Sequence, residues 1–239
     1  MNKITLNGGV LIIGSLYWED SDLRKKWRNE FIDFPNYQHI ALPIRYGRIS
    51  NTRNCTYTMV YSSDCKPVQQ IGQGLVVPFR GNPVDTQELE RQTKMMIDAE
   101  HNTTVDFDRY NWSWGALGIA VNPKWNAETA ANLEMKRQLL ASWSTHFGKG
   151  FNTEEYRVGN EEPILSKKGE LLIDWKEEMN DFDFVIGTAV KPELKNYPDP
   201  TQIVVRMKVN EYDTYFNKNT ESGIMTFQDT SIRELLENK

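Results

Sequence analysis

The chain has 239 residues, a formal net charge of −5 and a sequence pI of ≈ 5.4. Hydrophobic residues make up 39% and charged residues 26%, a balance that supports a sizeable core and argues against long disorder. An acidic chain lacks the basic face that nucleic acid or an anionic membrane surface would require, so neither is expected as a partner.

The first apolar run, Val10 to Ile13, is too short for a transmembrane helix or the body of a signal segment. Residues 9–18 read as a buried strand that breaks at Gly14-Ser15, followed by a short helix, Leu23 to Trp27, with an aspartate cap. Residues 38–49 alternate with period two, placing Ile40, Leu42, Ile44 and Tyr46 on one face, and Pro43 marks an edge or bulge. Further strands are expected at 55–61, where Cys55, Tyr57, Met59 and Tyr61 share a face, and at 71–79, where two glycines signal close backbone approach. A helix starts near Asp85, with Asp85-x-x-Glu88 resembling a capping box, and runs to about Glu100. Residues 114–122 make a fifth strand.

Past Pro123 the pattern changes. A long helix is expected from Ala127 to Phe147, capped by Asn126 and stopped by Gly148, with Leu133, Leu140, Trp143 and Phe147 as its apolar stripe. A helix around Leu171 to Met179 comes next. Strands are then expected at Phe184–Val190, Ile203–Val209 and Ile224–Phe227, before a short terminal helix from Ile232. The fold class is α/β (α+β). Cys55 and Cys65 fit neither a metal pattern nor a disulfide framework, so reduced thiols in a cytoplasmic chain are expected.

Three features can carry chemistry. The Gly14-Ser15-Leu16 turn ends a buried strand, where backbone N–H groups can bind a carboxylate or oxyanion; the alternative is an ordinary tight turn. Glu100 is the one acid of its helix that shares the apolar face with Leu89 and Met96, while Asp98 lies opposite. A carboxylate held there resists ionisation and suits general acid/base work, unless the helix frays before it and leaves it solvated. Among the arginines, Arg45 and Arg48 can hold a substrate carboxylate, whereas Arg53 reads as a surface residue. Tyr17, Trp18, Trp112 and Trp114 line a cleft or belong to the core. The spacing of His39, His101 and His146 suits no metal, and no phosphate loop or dinucleotide fingerprint occurs, so no metal or cofactor is expected.

The order of these parts is similar to the γ-glutamylcyclotransferase-like family. The resemblance rests on Gly14-Ser15-Leu16 after the first strand, Tyr46-Gly47-Arg48-Ile49-Ser50, the strand pair that follows, and Ile97-Asp98-Ala99-Glu100. It covers roughly residues 9–122. It implies a mixed barrel over residues 1–124, with residues 125–239 an extension of one long helix plus strands, separate or packed on the same barrel. It places the substrate-binding loop on Ile13, Gly14, Ser15, Leu16 and Tyr17, with Ile13 where the family carries tyrosine. It puts the general acid/base on Glu100, with Glu88 and Glu90 as rival matches. The implied reaction turns a small γ-glutamyl amine or peptide, an anionic substrate, into 5-oxoproline with release of the amine. The rival reading is a non-catalytic protein that keeps the cleft for a small anion. A third takes Tyr197 to Tyr215, with Pro198 and Pro200, as exposed aromatics for a partner interface.

Overall fold

The computed structural model describes residues 5–105, 109–126, 130–147 and 151–237. Its centre is β1 (Gly8–Ile12), buried along its whole length. On one side β1 pairs antiparallel with β5 (Gly72–Pro78), which pairs with β2 (Gln38–Leu42). On the other side β1 runs parallel to β7 (Phe184–Val190), which pairs antiparallel with β6 (Gly115–Val121). The five-stranded order is therefore β2-β5-β1-β7-β6, with β3 (Ile44–Ser50) and β4 (Thr56–Tyr61) forming a separate two-stranded sheet.

The fold is mixed α/β, as expected, but among the described residues the strands do not close into a barrel. Pro43 is the reason on one flank. It has no N–H to donate, so the expected strand 38–49 divides into β2 and β3 around it. The register of β3 with β4 then shifts between Tyr46 and Arg48, a bulge that bends the ribbon. The alternation itself holds, since Ile40, Leu42, Ile44 and Tyr46 are all buried. On β5 a Cβ at Gly72 would lie 2.6 Å from the Met225 carbonyl, and one at Gly74 would lie 2.9 Å from that of Ile12. The glycines thus mark close backbone approach.

The helices fall on the sheet and along its ends. The first, α1 (Asp22–Glu30), is capped by Ser21 rather than by an aspartate. The second, α2 (Thr86–His101), begins on the Asp85 side chain, which accepts from the Glu88 amide. Glu88 turns instead to Arg91 and Gln92. The long helix of the second half is α3 (Ala130–Thr145); Ala127 and the Gly148 stop lie outside the described residues. Trp143 and Phe147 are buried, but Leu133 is exposed and Leu139 takes the core position.

Three expectations in the last third fail. Residues 203–209 belong to a helix, α4 (Pro200–Val209), because Asp199 and Gln202 form a capping box with Pro200 in the first turn. The β-branched run Ile203-Val204-Val205 is overridden by that start signal. Residues 224–227 give only one bridge, Met225 to Gln73, and the stretch Leu171–Met179 is no helix but a bridge from Leu171 to Leu165 and a 3-10 turn at Glu177–Met179. Two more helices, α5 (Thr214–Glu221) and α6 (Asp229–Glu237), close the chain. The aromatics expected to be exposed point inward: Tyr215 is buried, and the Tyr197 hydroxyl donates to buried Glu161.

One apolar core takes side chains from both halves, because β7 sits between β1 and β6. A polar residue strains it at one point. Asp229 is buried, with Oδ1 accepting from Thr226 and Oδ2 unpartnered among the described residues. Burial pushes its carboxyl up to about 6, against the pull of the Thr226 hydrogen bonds and Arg233. As pH rises from about 4 to about 6 the unfolded carboxyl ionises before the folded one, so folding stability falls across that window. Two pKa units correspond to about 3 kcal/mol at most. Urea unfolding near pH 4 and pH 6.5 should show Asp229→Asn gaining on the wild type by about 2 kcal/mol across the window. A constant gap would remove Asp229 as the source.

Candidate functional site

A cavity of about 600 Å³ opens where the end of β1 meets the C-terminus of α2, the tip of the β3–β4 hairpin, and β7. The turn after β1 supplies Ile13, Gly14, Ser15 and Leu16 to its wall, and α2 supplies Glu100. The turn is wound by Tyr17 N–H donating to the Gly14 carbonyl and Glu19 N–H to that of Ser15. The Ser15 and Leu16 amides donate to no backbone carbonyl among the described residues, which leaves them available to an anion. The helix does not fray before Glu100. Asn102, at φ 52°, caps it beyond that point by donating its N–H to Ala99 and Asp98. Leu89 and Met96 are buried, as their phase requires, but so is Asp98, because the loop after α2 folds back and Val105 N–H donates to its carboxylate at 2.9 Å.

Glu100 is half-buried, and its remaining exposure is toward the cavity. Burial raises its pKa above the usual carboxylate range. Arg24, the Thr188 hydroxyl and Arg53 pull the other way, and the charge on Glu19 adds to the rise. Glu88 and Glu90 do not reach the cavity: Glu88 is bound to Arg91 and Glu90 lies 3.7 Å from His146. Of the three rival acids, Glu100 alone faces the Gly14-Ser15 turn across the cavity.

Two guanidinium groups converge on the turn. Arg24 is buried and binds the Ala99 carbonyl (2.9 Å), the Glu100 carbonyl (3.4 Å), the Ser15 hydroxyl (3.4 Å) and the Glu19 carboxylate. Arg53 reaches in from the hairpin tip, donating to Ser15 Oγ at 3.0 Å and to the same Glu19 oxygen. The surface role expected for Arg53 is therefore wrong: its side chain is 12% exposed and lines the cavity. It is held there by the 3-10 turn Asn51–Arg53 and by two successive left-handed residues, Asn54 (φ 48°) and Cys55 (φ 55°). Cys55 and Cys65 are both free thiols.

Arg48 also lines the cavity, donating to the Trp114 and Lys191 carbonyls and pairing with Glu193 at 3.3 Å. Arg45 does not reach it. Its guanidinium lies 4.0 Å from the Tyr197 ring centroid instead. Tyr17 is also outside, packed against Phe34 and Tyr37. Trp114 lines the mouth beside His101, with Trp112 behind both; Trp18 donates to Asn219 instead.

Sequence reasoning missed Glu19, Thr188 and Tyr215. Thr188 is the one polar residue in the run Phe-Val-Ile-Gly-Thr-Ala-Val, a legible signal. Tyr215 carried none, since its approach to Gly14 spans 201 residues of chain. Its hydroxyl accepts from the Met59 amide at 3.3 Å, and a Cβ added to Gly14 would lie 2.7 Å from it. Among the described residues no group of His, Cys, Asp and Glu could hold a metal. No helix among them is long and apolar enough to cross a membrane. Compared with protein-family models, curated proteins and solved structures, the chain matches none.

The Gly14–Tyr215 contact is testable by coupling. Gly14→Ala should cost roughly 1–3 kcal/mol through the clash. Tyr215→Phe removes the hydroxyl and leaves the nearest ring carbon at 3.6 Å, an ordinary contact. In denaturant unfolding the double variant should be more stable than the two single losses summed, by about 1 kcal/mol or more. Additive losses would dismiss the contact.

Proposed function

We propose that the chain is a γ-glutamylcyclotransferase-like enzyme that cyclises a small γ-glutamyl amine or peptide to 5-oxoproline. The observation that supports the reading is the shared cavity: the Gly14-Ser15 turn and Glu100 line one cavity, although they lie 85 positions apart in the chain, from Ser15 to Glu100.

In the reaction the substrate's α-amine nitrogen attacks its own γ-carbonyl carbon. Glu100, ionised, takes the proton that the amine gives up. The carbonyl oxygen becomes an oxyanion, which the Ser15 and Leu16 amides can stabilise; one such donor is typically worth about 3 kcal/mol. The bond from the carbonyl carbon to the leaving nitrogen then breaks, and Glu100 returns its proton to that nitrogen. The lactam ring and the free amine remain. Because the nucleophile and the carbonyl belong to one molecule, the site needs mainly to fold the substrate and exclude water. A carboxyl with a raised pKa suits a group that must both take and return a proton. Trp114 and His101 at the mouth offer apolar surface to the leaving amine.

Incubation with a panel of γ-glutamyl amines, read by 5-oxoproline release, tests the proposal. Glu100→Gln should lose roughly 10²–10⁴-fold in kcat while keeping its melting temperature. The acid limb of the wild-type kcat/KM profile should have its midpoint above the ordinary carboxylate range, since Glu100 acts when ionised and burial delays that ionisation. Equal turnover by both proteins would remove Glu100 from the mechanism. A cleft that binds small anions with no turnover across the panel would favour the binding-protein alternative.

A further inference from the structure

Glu19 occupies an unusual position for a surface-loop acid. Its carboxylate faces the cavity, held by Arg24 and Arg53 together, and the Ser15 hydroxyl touches the same two guanidinium groups. Two cations thus share one carboxylate, and the site keeps more N–H donors than Glu19 can accept. The two arginines differ. Arg24 is committed to the backbone through Ala99 and Glu100, so it is part of the frame. Arg53 stands on a hairpin tip; besides Ser15 and Glu19 its guanidinium makes a 3.3 Å bond to the neighbouring Thr52 carbonyl and lies 5.8 Å from the Trp18 ring centroid, with no bond to the frame of α2 among the described residues. The Glu19 side chain is 32% exposed, enough to swing out, whereas both guanidinium groups are nearly enclosed.

We propose that Arg53, with the Ser15 hydroxyl, is the receptor for a substrate carboxylate, and that Glu19 is an internal carboxylate that fills this place until the substrate displaces it. The geometry suits a planar carboxylate, because a carboxylate is what the site already holds. Displacement also discriminates. A neutral ligand cannot replace the charge on Glu19, so it would leave two largely buried guanidinium groups with no counter-charge. The Glu100 carboxylate forms no ion pair with either arginine among the described residues; beside the Thr188 hydroxyl, it lines the cavity where the amine end of the same substrate would lie. An α-amino acid head group therefore matches the cavity: carboxylate toward Arg53 and Ser15, amine toward Glu100. The amine half of this match rests on the proposed cyclisation, but carboxylate capture at Arg53 stands without turnover.

Calorimetric titration with glutarate, a carboxylate that lacks the amine, tests the capture, with neutral glutaramide as control. Wild type should bind glutarate and not glutaramide. Glu19→Gln, which removes the competing charge, should bind glutarate at least about tenfold tighter, or 1.4 kcal/mol. Arg53→Met should abolish binding in both backgrounds, and Arg53→Lys should restore only part of it, since the charge returns without the fork. Glu19→Asp, which withdraws the carboxylate by one methylene, should shift affinity in the same direction as Glu19→Gln if the latter fails to fold. Glutarate binding that is equal or weaker in both Glu19 variants, wild-type binding by Arg53→Met, equal binding of glutaramide, or no glutarate binding by any variant would each overturn the proposal. Tight glutarate binding without 5-oxoproline release would keep the receptor and discard the enzyme. Turnover with the glutarate pattern absent would do the reverse.

Discussion

The Arg24 guanidinium is the constraint on which the rest of the site depends. It leaves α1 and binds the C-terminus of α2, the turn after β1 and Glu19. The carbonyls of Ala99 and Glu100 are among the last of α2, at the negative end of the helix dipole, where a cation is favoured. A buried arginine is costly unless its donors are met, and here backbone and carboxylate meet them. The consequence is positional. Arg24 fixes the distance between the turn that offers amides and the helix end that offers Glu100, two segments with no covalent reason to be near each other. Arg28 repeats the device one turn later, donating to the Leu16 and Glu19 carbonyls at 2.8 and 2.9 Å. The loop carbonyls are therefore held by side-chain donors, while the Ser15 and Leu16 amides donate to no backbone carbonyl among the described residues.

The second half of the chain completes this frame. β7 enters beside β1 in parallel and brings Thr188 to the cavity wall next to Glu100. α5 brings Tyr215 against Gly14, where only a residue without a side chain leaves room. Glu193, just past β7, closes on Arg48 at the mouth. The first 124 residues thus contribute the Gly14-Ser15 turn, Glu100, Arg24 and Arg53, and later residues supply part of the wall and rim. A cut between the halves would expose both edges of β1's parallel partner and open the cavity on one side.

Legibility in the sequence followed the range of the interaction. Glu100 could be placed because helical phase is local: three residues of one helix decide its face, and Asn102 fixes the helix end just beyond. The strand break at Gly14, the faces of residues 40–46 and the Asp85 cap were readable for the same reason, whereas the face expected for Cys55, Tyr57, Met59 and Tyr61 fails because Cys55, at φ 55°, lies exposed before β4 and Thr56 and Val60 are buried instead. Residues 203–209 were misread because β-branched composition is a weaker signal than the capping box before it. The open sheet could not be read at all. The strands were found, but their order depends on β7 inserting from far along the chain. Arg53 was misjudged because its orientation comes from two left-handed residues after it, a feature that Asn54 permits but does not announce. Glu19, Thr188 and Tyr215 enter the site through contacts 5 to 201 residues away, and no spacing rule reaches across such gaps.

The electrostatics of the cavity follow from how its charges are already paired. Three arginines and three glutamates line it, yet their interactions are not uniform. Arg48 is matched by Glu193, and Arg24 and Arg53 are matched jointly by Glu19. Among the described residues Glu100 has no ion pair of its own, and burial outweighs the pull of the two nearby cations on its pKa. Were Glu19 absent and its place empty, both guanidinium groups would act on Glu100 and favour its ionised form, making it a weaker base. A bound carboxylate in the place of Glu19 restores the same balance. Glu100 would then meet an almost unchanged field with either carboxylate in that place. The acid at position 19 and the acid at position 100 are thus coupled through the arginines between them, and the charge on the first offsets their pull on the second.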